Sequence, residues 1–166
     1  RSSAASDVYK RQTPDIVIFG KALGNGYPIT AVLGKDEIMN AAKNSFISST
    51  FWSERIGPVA ALKTLETMEK KKSCIEITRL GKKLISIWKK LANRHKVKIQ
   101  IAGIPSLAKF SISSKNFQAY KTYISQEMLK KGFLASNGVY LSVSHNNNIL
   151  RNYENALDKI FYDISL

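Results

Sequence analysis

Cysteine is almost absent. Cys74 stands alone among 166 residues, so no internal disulfide can form, and three methionines with two histidines cannot build a thiolate metal cluster. Cys74 is expected to be a small buried apolar residue. His95 and His145 lie far apart with no adjacent carboxylate pair, so no metal site is expected. No apolar run approaches the ~18 residues that cross a bilayer, and the first residues lack a basic-then-apolar pattern, so no membrane partner and a cytoplasmic location are expected. Acidic residues are scarce too, 12 against 26 Lys+Arg, which leaves a formal charge of +14 and a pI near 9.9. Such an excess is the electrostatic footprint of a nucleic-acid binder. Its composition points elsewhere, because the cations are mostly lysine and come with abundant isoleucine and asparagine, including the run 146–148, a pattern of coding drift. Arginine forks interleaved with aromatics are lacking, and no nucleic-acid partner is expected. A basic module for nucleic acid or an anionic surface stays as the reading from a different class, marked by steep loss of affinity with salt.

Hydrophobic residues at 44% and aromatics at 10% suffice for a core, and the length is that of one ordinary domain. Residues 1–12 show no period, and their string "SSAASDVYKRQ" resembles a translated sequencing adaptor. They are expected to be a non-native leader, with residue 13 onward the C-terminal part of a longer protein.

Residues 15–20 form a short β-branched apolar run, the pattern of a strand buried on both faces. It ends at Lys21, and Gly24, Gly26 and Pro28 then mark a tight turn. A second strand is expected over 29–33, then a helix over 37–43 with Asp36 as N-cap. Gly57-Pro58 opens a further helix whose Val59, Leu62, Leu65 and Met68 share one face. Ile77, Leu80, Leu84, Ile87, Trp88 and Leu91 make a longer amphipathic helix with Lys82, Lys83, Lys89 and Lys90 on its solvated side. Strands are expected over 96–101, 107–112 and 139–143, with helices over 120–131, closed by Gly132, and over 149–164. The second half therefore reads as a small α+β layer.

A lysine where a buried strand ends is a candidate nucleophile, because desolvation disfavours the ammonium and frees the amine to attack an aldehyde. By position alone Lys21 can equally snorkel into solvent. The segment "TPDIVIFGKALGNGYPITAVLGK", residues 13–35, resembles the cofactor-lysine segment of class III pyridoxal-phosphate aminotransferases, with the lysine at Lys21. In the same order and spacing, "SSTFWSERIGPVAALKTLE", residues 48–66, resembles the family's next motif, with greatest similarity to glutamate-1-semialdehyde aminomutase-like members. The ending "LSVSHNNNILRNYENALDKI" is similar to that group's last strand, Ser-x-x-His and final helix.

The resemblance implies an α/β fold, the C-terminal part of a fold-type I pyridoxal-phosphate-dependent transferase. Residues 13–68 would end the large cofactor-binding domain, and 69–166 would be a connecting helix and small α+β domain. Lys21 would hold pyridoxal 5'-phosphate covalently and shuttle the substrate proton. Thr50 would reach across a homodimer to the phosphate of the neighbouring subunit's cofactor. Ser49 could assist, while Gly24 and Gly26 would shape the backbone. Tyr27, Phe51 and Trp52 could line a pocket, and Arg55 or Arg151 could take a carboxylate. His145 is expected to satisfy backbone groups. The reaction implied is amino transfer between a small-molecule amino donor and a carbonyl acceptor, with intramolecular transfer by a glutamate-1-semialdehyde 2,1-aminomutase as the alternative. "STFWSER" departs from the glycine-containing loop of the aminomutases and favours the first. The family's aspartate for the pyridine nitrogen and its phosphate loop lie upstream of such a lysine, so the 166 residues alone are expected to be inactive.

Overall fold

A computed structural model describes residues 14–165; the expected leader over 1–12 lies outside the described residues. The chain divides into two compact units at Lys71/Lys72.

In the first unit, β1 (Ile16–Phe19) pairs antiparallel with β2 (Ala31–Gly34), Ile16 opposite Gly34 and Phe19 opposite Ala31. Lys35 closes the open end twice, its N–H donating to the Asp15 carbonyl at 3.1 Å and its ammonium pairing with the Asp15 carboxylate at 2.7 Å. Burial on both faces is not what β1 shows: Ile18 is 70% exposed and Ile16 48%. Among the described residues β1 has β2 as its single partner strand, and of its four residues only Val17 is half-buried. The second strand also starts two residues later than expected, because β1 ends at Phe19, opposite Ala31, and leaves Ile29 and Thr30 without a ladder partner.

α1 (Asp36–Ala41) has Lys35 rather than Asp36 at its N-cap. Asp36 lies inside the first turn, where its charge still complements the helix dipole. A 3₁₀ turn, Ala42–Asn44, and a turn-rich stretch lead to α2 (Ile56–Lys70). The expected stripe of Val59, Leu62, Leu65 and Met68 exists but is exposed, and only Gly57 and Ala61 are buried on this helix.

The second unit holds the core. Its elements are α3 (Ser73–Arg94), β3 (Ile99–Ala102), β4 (Lys109–Ile112), α4 (Phe117–Lys130) and α5 (Asn147–Ser165), with β3 and β4 antiparallel. Leu80, Leu84, Trp88 and Leu91 of α3 meet Phe110 of β4, Ile124 and Met128 of α4, and Leu157, Ile160 and Phe161 of α5, all at most 1% exposed. Phe110 sits between two rings, its centroid 5.0 Å from Trp88 and 5.6 Å from Phe161. The Trp88 indole N–H donates to the Tyr153 hydroxyl at 3.0 Å, so the core's buried aromatic donor is satisfied. Burial pushes the Tyr153 phenol well above its ordinary value, opposed by the Trp88 bond.

α3 and α5 run side by side in a register that the sequence reading missed. Lys83 donates to Asn147, Lys90 to Glu154 and Arg94 to Asp158, each pair separated by 64 residues, as two parallel helices require. Lys83 and Lys90 were expected to be merely solvated. Pairs this exposed contribute roughly 0–1 kcal/mol each, so they specify register more than stability.

Two further expectations change. Cys74 is exposed, because it lies one position off the buried line of Ser73, Leu80 and Leu84 in the first turns of α3. Residues 139–143 form no strand. Their N–H groups reach Ala108 and Ser106, but that neighbour is the 3₁₀ turn Pro105–Leu107, whose backbone cannot continue a ladder, and only a bridge from Gly138 to Lys109 forms.

Candidate active site

The site residues expected from sequence concentrate in the first unit. β1 delivers the chain to Gly20, and Lys21 begins a 3₁₀ turn, Lys21–Leu23. Its backbone is left-handed, with φ +51°. A non-glycine residue pays of order 1–2 kcal/mol for this geometry and keeps it only where the surroundings over-determine it. Three hydrogen bonds do so here: Leu23 N–H to the Gly20 carbonyl, and both Gly24 and Asn25 N–H to the Lys21 carbonyl, each at 3.2 Å. Asn25 at φ +48° and Gly26 at φ +109° then reverse the chain. Gly24 is buried, and a Cβ there would fall 2.1 Å from the Tyr27 carbonyl oxygen, so no other residue fits.

The Lys21 side chain is exposed and makes no ion pair among the described residues. The desolvation that a buried strand end would give it is therefore not supplied by the described residues. Thr50 lies in the turn-rich stretch before α2, exposed, with no side-chain hydrogen bond among the described residues. Ser49 is engaged locally, its hydroxyl oxygen accepting from the Phe51 N–H at 3.3 Å. No hydrogen bond joins Lys21 to Thr50. Tyr27, Phe51 and Trp52 are all more than half exposed, so none is an ordinary core residue of the described chain. Arg55 is the N-cap of α2, and Arg151 is exposed on α5, in the other unit. His145 acts as expected: its Nδ1 accepts from the Ser142 N–H at 3.0 Å, just before Asn146 caps α5 through bonds from the N–H groups of Asn148 and Ile149.

One residue was missed. Glu54 accepts from the N–H groups of Ile56 and, at 3.0 Å, Gly57, which otherwise lack partners at the start of α2. These backbone bonds, Gly57 first, hold its carboxyl below the usual range. An acidic residue three positions before Gly57-Pro58 was the available signal.

The class-III aminotransferase model matches residues 4–155, and the chain belongs to that family. It is 34% identical over 110 residues to 3-aminobutyryl-CoA aminotransferase of Cloacimonas acidaminovorans (strain Evry), a match covering 66% of this chain and 27% of that protein. It is 25% identical over 165 residues to the glutamate-1-semialdehyde 2,1-aminomutase of Methanocaldococcus jannaschii, covering 89% of this chain and 38% of that one. Among solved structures, the FumI protein of Sphingopyxis sp. MTA144 in its PLP internal aldimine form superposes with a TM-score of 0.88 at 22% identity, over 96% of this chain and 39% of that one. The fold is thus that of the PLP-dependent aminotransferases, and the chain spans well under half the length of these relatives.

Proposed function

We propose that this chain carries the cofactor lysine and the small domain of a pyridoxal-phosphate enzyme that moves an amino group from a small-molecule donor to a carbonyl acceptor. The observation that carries the reading is Lys21 itself: an amine set in a strained left-handed turn directly after β1, inside the stretch matched by the family. Residues 13–68 then close the large domain, and 69–166 form the connecting helix and small domain.

The residues present suit their share of the cofactor. Lys21 offers an amine free of ion pairs among the described residues, and Thr50 a hydroxyl with no side-chain bond, the two donor types an aldehyde and a phosphate need. When bound, pyridoxal phosphate supplies the aldehyde and an electron-accepting ring. Lys21 would hold the group through its aldehyde, and its free amine would move the proton at the substrate Cα, a role worth typically 10²–10⁴-fold. Thr50 donates to the phosphate across a homodimer. The turn of 20–26 fixes where the Lys21 stem starts. A cytoplasmic location is part of the same proposal.

In the full-length protein loaded with pyridoxal phosphate, borohydride reduction followed by peptide mapping is expected to place the adduct on Lys21. Lys21→Ala is expected to lose at least about 10²-fold in kcat. An adduct on another lysine, with full activity in the variant, overturns the reading.

The aminomutase reading keeps a specific support, because the aminomutase matches run over most of the chain whereas the more identical aminotransferase match covers 66% of it. Turnover of glutamate-1-semialdehyde with no added carbonyl acceptor would select it.

A further inference from the structure

The turn that presents Lys21 packs closely, through Gly20 and Gly24, against Thr30 and Ile29, and Ile29 in turn packs against Gly57. Gly20, just before Lys21, lies so close to Thr30 that an added Cβ would sit 3.2 Å from its methyl group. At Gly24, just after the 3₁₀ turn, a Cβ would meet the Ile29 Cγ2 at 2.8 Å. At Gly57, in the first turn of α2, it would meet the Pro28 carbonyl oxygen at 3.2 Å and the Ile29 Cβ at 3.3 Å. Ile29 is therefore clasped between Gly24 and Gly57, and the segment 28–30 touches both flanks of Lys21. Gly57 is itself fixed by the Glu54 carboxylate, which accepts from its N–H and from that of Ile56. The helix has no other side-chain cap, since Arg55 at the N-cap makes no such bond.

We infer that Glu54 is a positioning residue for Lys21: by anchoring the first turn of α2 it keeps Gly57 against Ile29, Ile29 against Gly24, and so the left-handed backbone of Lys21 in place. The inference rests on the assignment of Lys21 as the cofactor lysine. Glu54 reaches Lys21 only through backbone and Ile29. Its loss should therefore change how well the amine is aimed rather than how well the substrate is held. The role needs two acceptor oxygens at fixed places, of which glutamine retains one and alanine none.

The test compares Glu54→Ala and Glu54→Gln with the parent in the full-length protein. In the cofactor-free state, amide hydrogen exchange over residues 20–29 is expected to quicken by about tenfold or more in Glu54→Ala and less in Glu54→Gln, with exchange in α3 unchanged. With cofactor bound, kcat is expected to fall by about tenfold or more in Glu54→Ala while KM for the amino donor stays within about twofold, and Glu54→Gln to recover part of the loss. Unchanged exchange over 20–29, or a loss confined to KM, overturns the inference. If alanine does not fold, the glutamine variant carries both measurements: faster exchange over 20–29 and a lower kcat at unchanged KM are expected, and parent-like exchange or a loss confined to KM overturns the inference. Failure of the underlying assignment has a separate signature, since borohydride would then mark a lysine other than Lys21 in the parent protein.

Discussion

Gly81 of α3 offers the sharpest test of how the second unit is assembled. The helix crosses the 3₁₀ turn Pro105–Leu107 so closely that a Cβ at position 81 would lie 1.9 Å from the Pro105 carbonyl oxygen and 2.3 Å from its carbon. Ordinary contact begins near 3.4 Å, so the turn would have to withdraw by about 1.5 Å, the difference between 3.4 and 1.9. It is poorly able to do so. Proline fixes its own φ, Leu107 N–H is bonded to the Ile104 carbonyl at 2.9 Å, and Leu141 N–H holds Ser106 at 3.3 Å. Against this, alanine gains about 1 kcal/mol of helix propensity over glycine. Overpacking of a well-filled site typically costs 1–3 kcal/mol, and a clash with backbone rather than with a flexible side chain belongs at the upper end. Gly81→Ala is therefore expected to lose about 2 kcal/mol net, a fall in Tm of very roughly 8–16 °C for a unit of this size. Urea unfolding followed by far-ultraviolet circular dichroism reads it directly. A variant as stable as the parent, or more stable by the propensity gain, would refute the close approach of α3 to this turn.

Two further outcomes follow from the core and from the α3–α5 register. Tyr153→Phe keeps the ring but strands the buried Trp88 N–H, and a loss of about 1–3 kcal/mol is expected in urea midpoints; an unchanged midpoint would mean that the Trp88 donor finds another partner. Asp158 joins Arg94 at 2.8 Å and His95, whose Nε2 donates to the carboxylate at 2.6 Å. Burial alone would raise its carboxyl, yet the His95 bond and the Arg94 charge outweigh that and hold it below the ordinary value. A depressed carboxyl stabilises the fold above its unfolded value near 3.9 and loses that contribution as pH falls below it. Asp158→Asn is thus expected to be less stable than the parent at pH 7, with the gap closing below about pH 4; a gap that fails to close below about pH 4 would refute the reasoning.

The long periodic elements were legible because periodicity over many residues averages out local accidents. The line Leu80, Leu84, Ile87, Trp88 and Leu91 fixed both the helix and its buried face, and α5 followed from its own stripe. Gly132, at φ +80°, ended α4 where a left-handed residue was needed. What escaped was set by tertiary neighbours. Nothing local says that Lys83 and Lys90 meet Asn147 and Glu154, a match visible only once α3 and α5 are known to be parallel. Residues 139–143 alternate like a strand, but the ladder also depends on the neighbour, which turns at Pro105. At the site, Lys21 and its glycine turn were readable as a strand end followed by breakers, whereas Glu54 was not, because its role appears only when Gly57 is seen against Ile29.

The apolar residues of the first unit show where sequence pattern and burial part company. Ile16 and Ile18 alternate with Val17 as in a strand covered on both sides, and α2 carries Val59, Leu62, Leu65 and Met68 along one stripe, yet most of these side chains are exposed. An amphipathic pattern records the environment a residue suits, and the described residues provide one partner strand and one turn for these faces. The second unit differs because its helices supply each other's cover, so pattern and burial agree along the stripes of α3 and α5. Lys21 belongs to the first unit. Its backbone is fixed within the first unit by hydrogen bonds and the Ile29 clasp, while its side chain is exposed. Backbone position and chemical environment are therefore separable at this lysine, which is why the Glu54 variants, acting on the first alone, can be read apart from changes in the second.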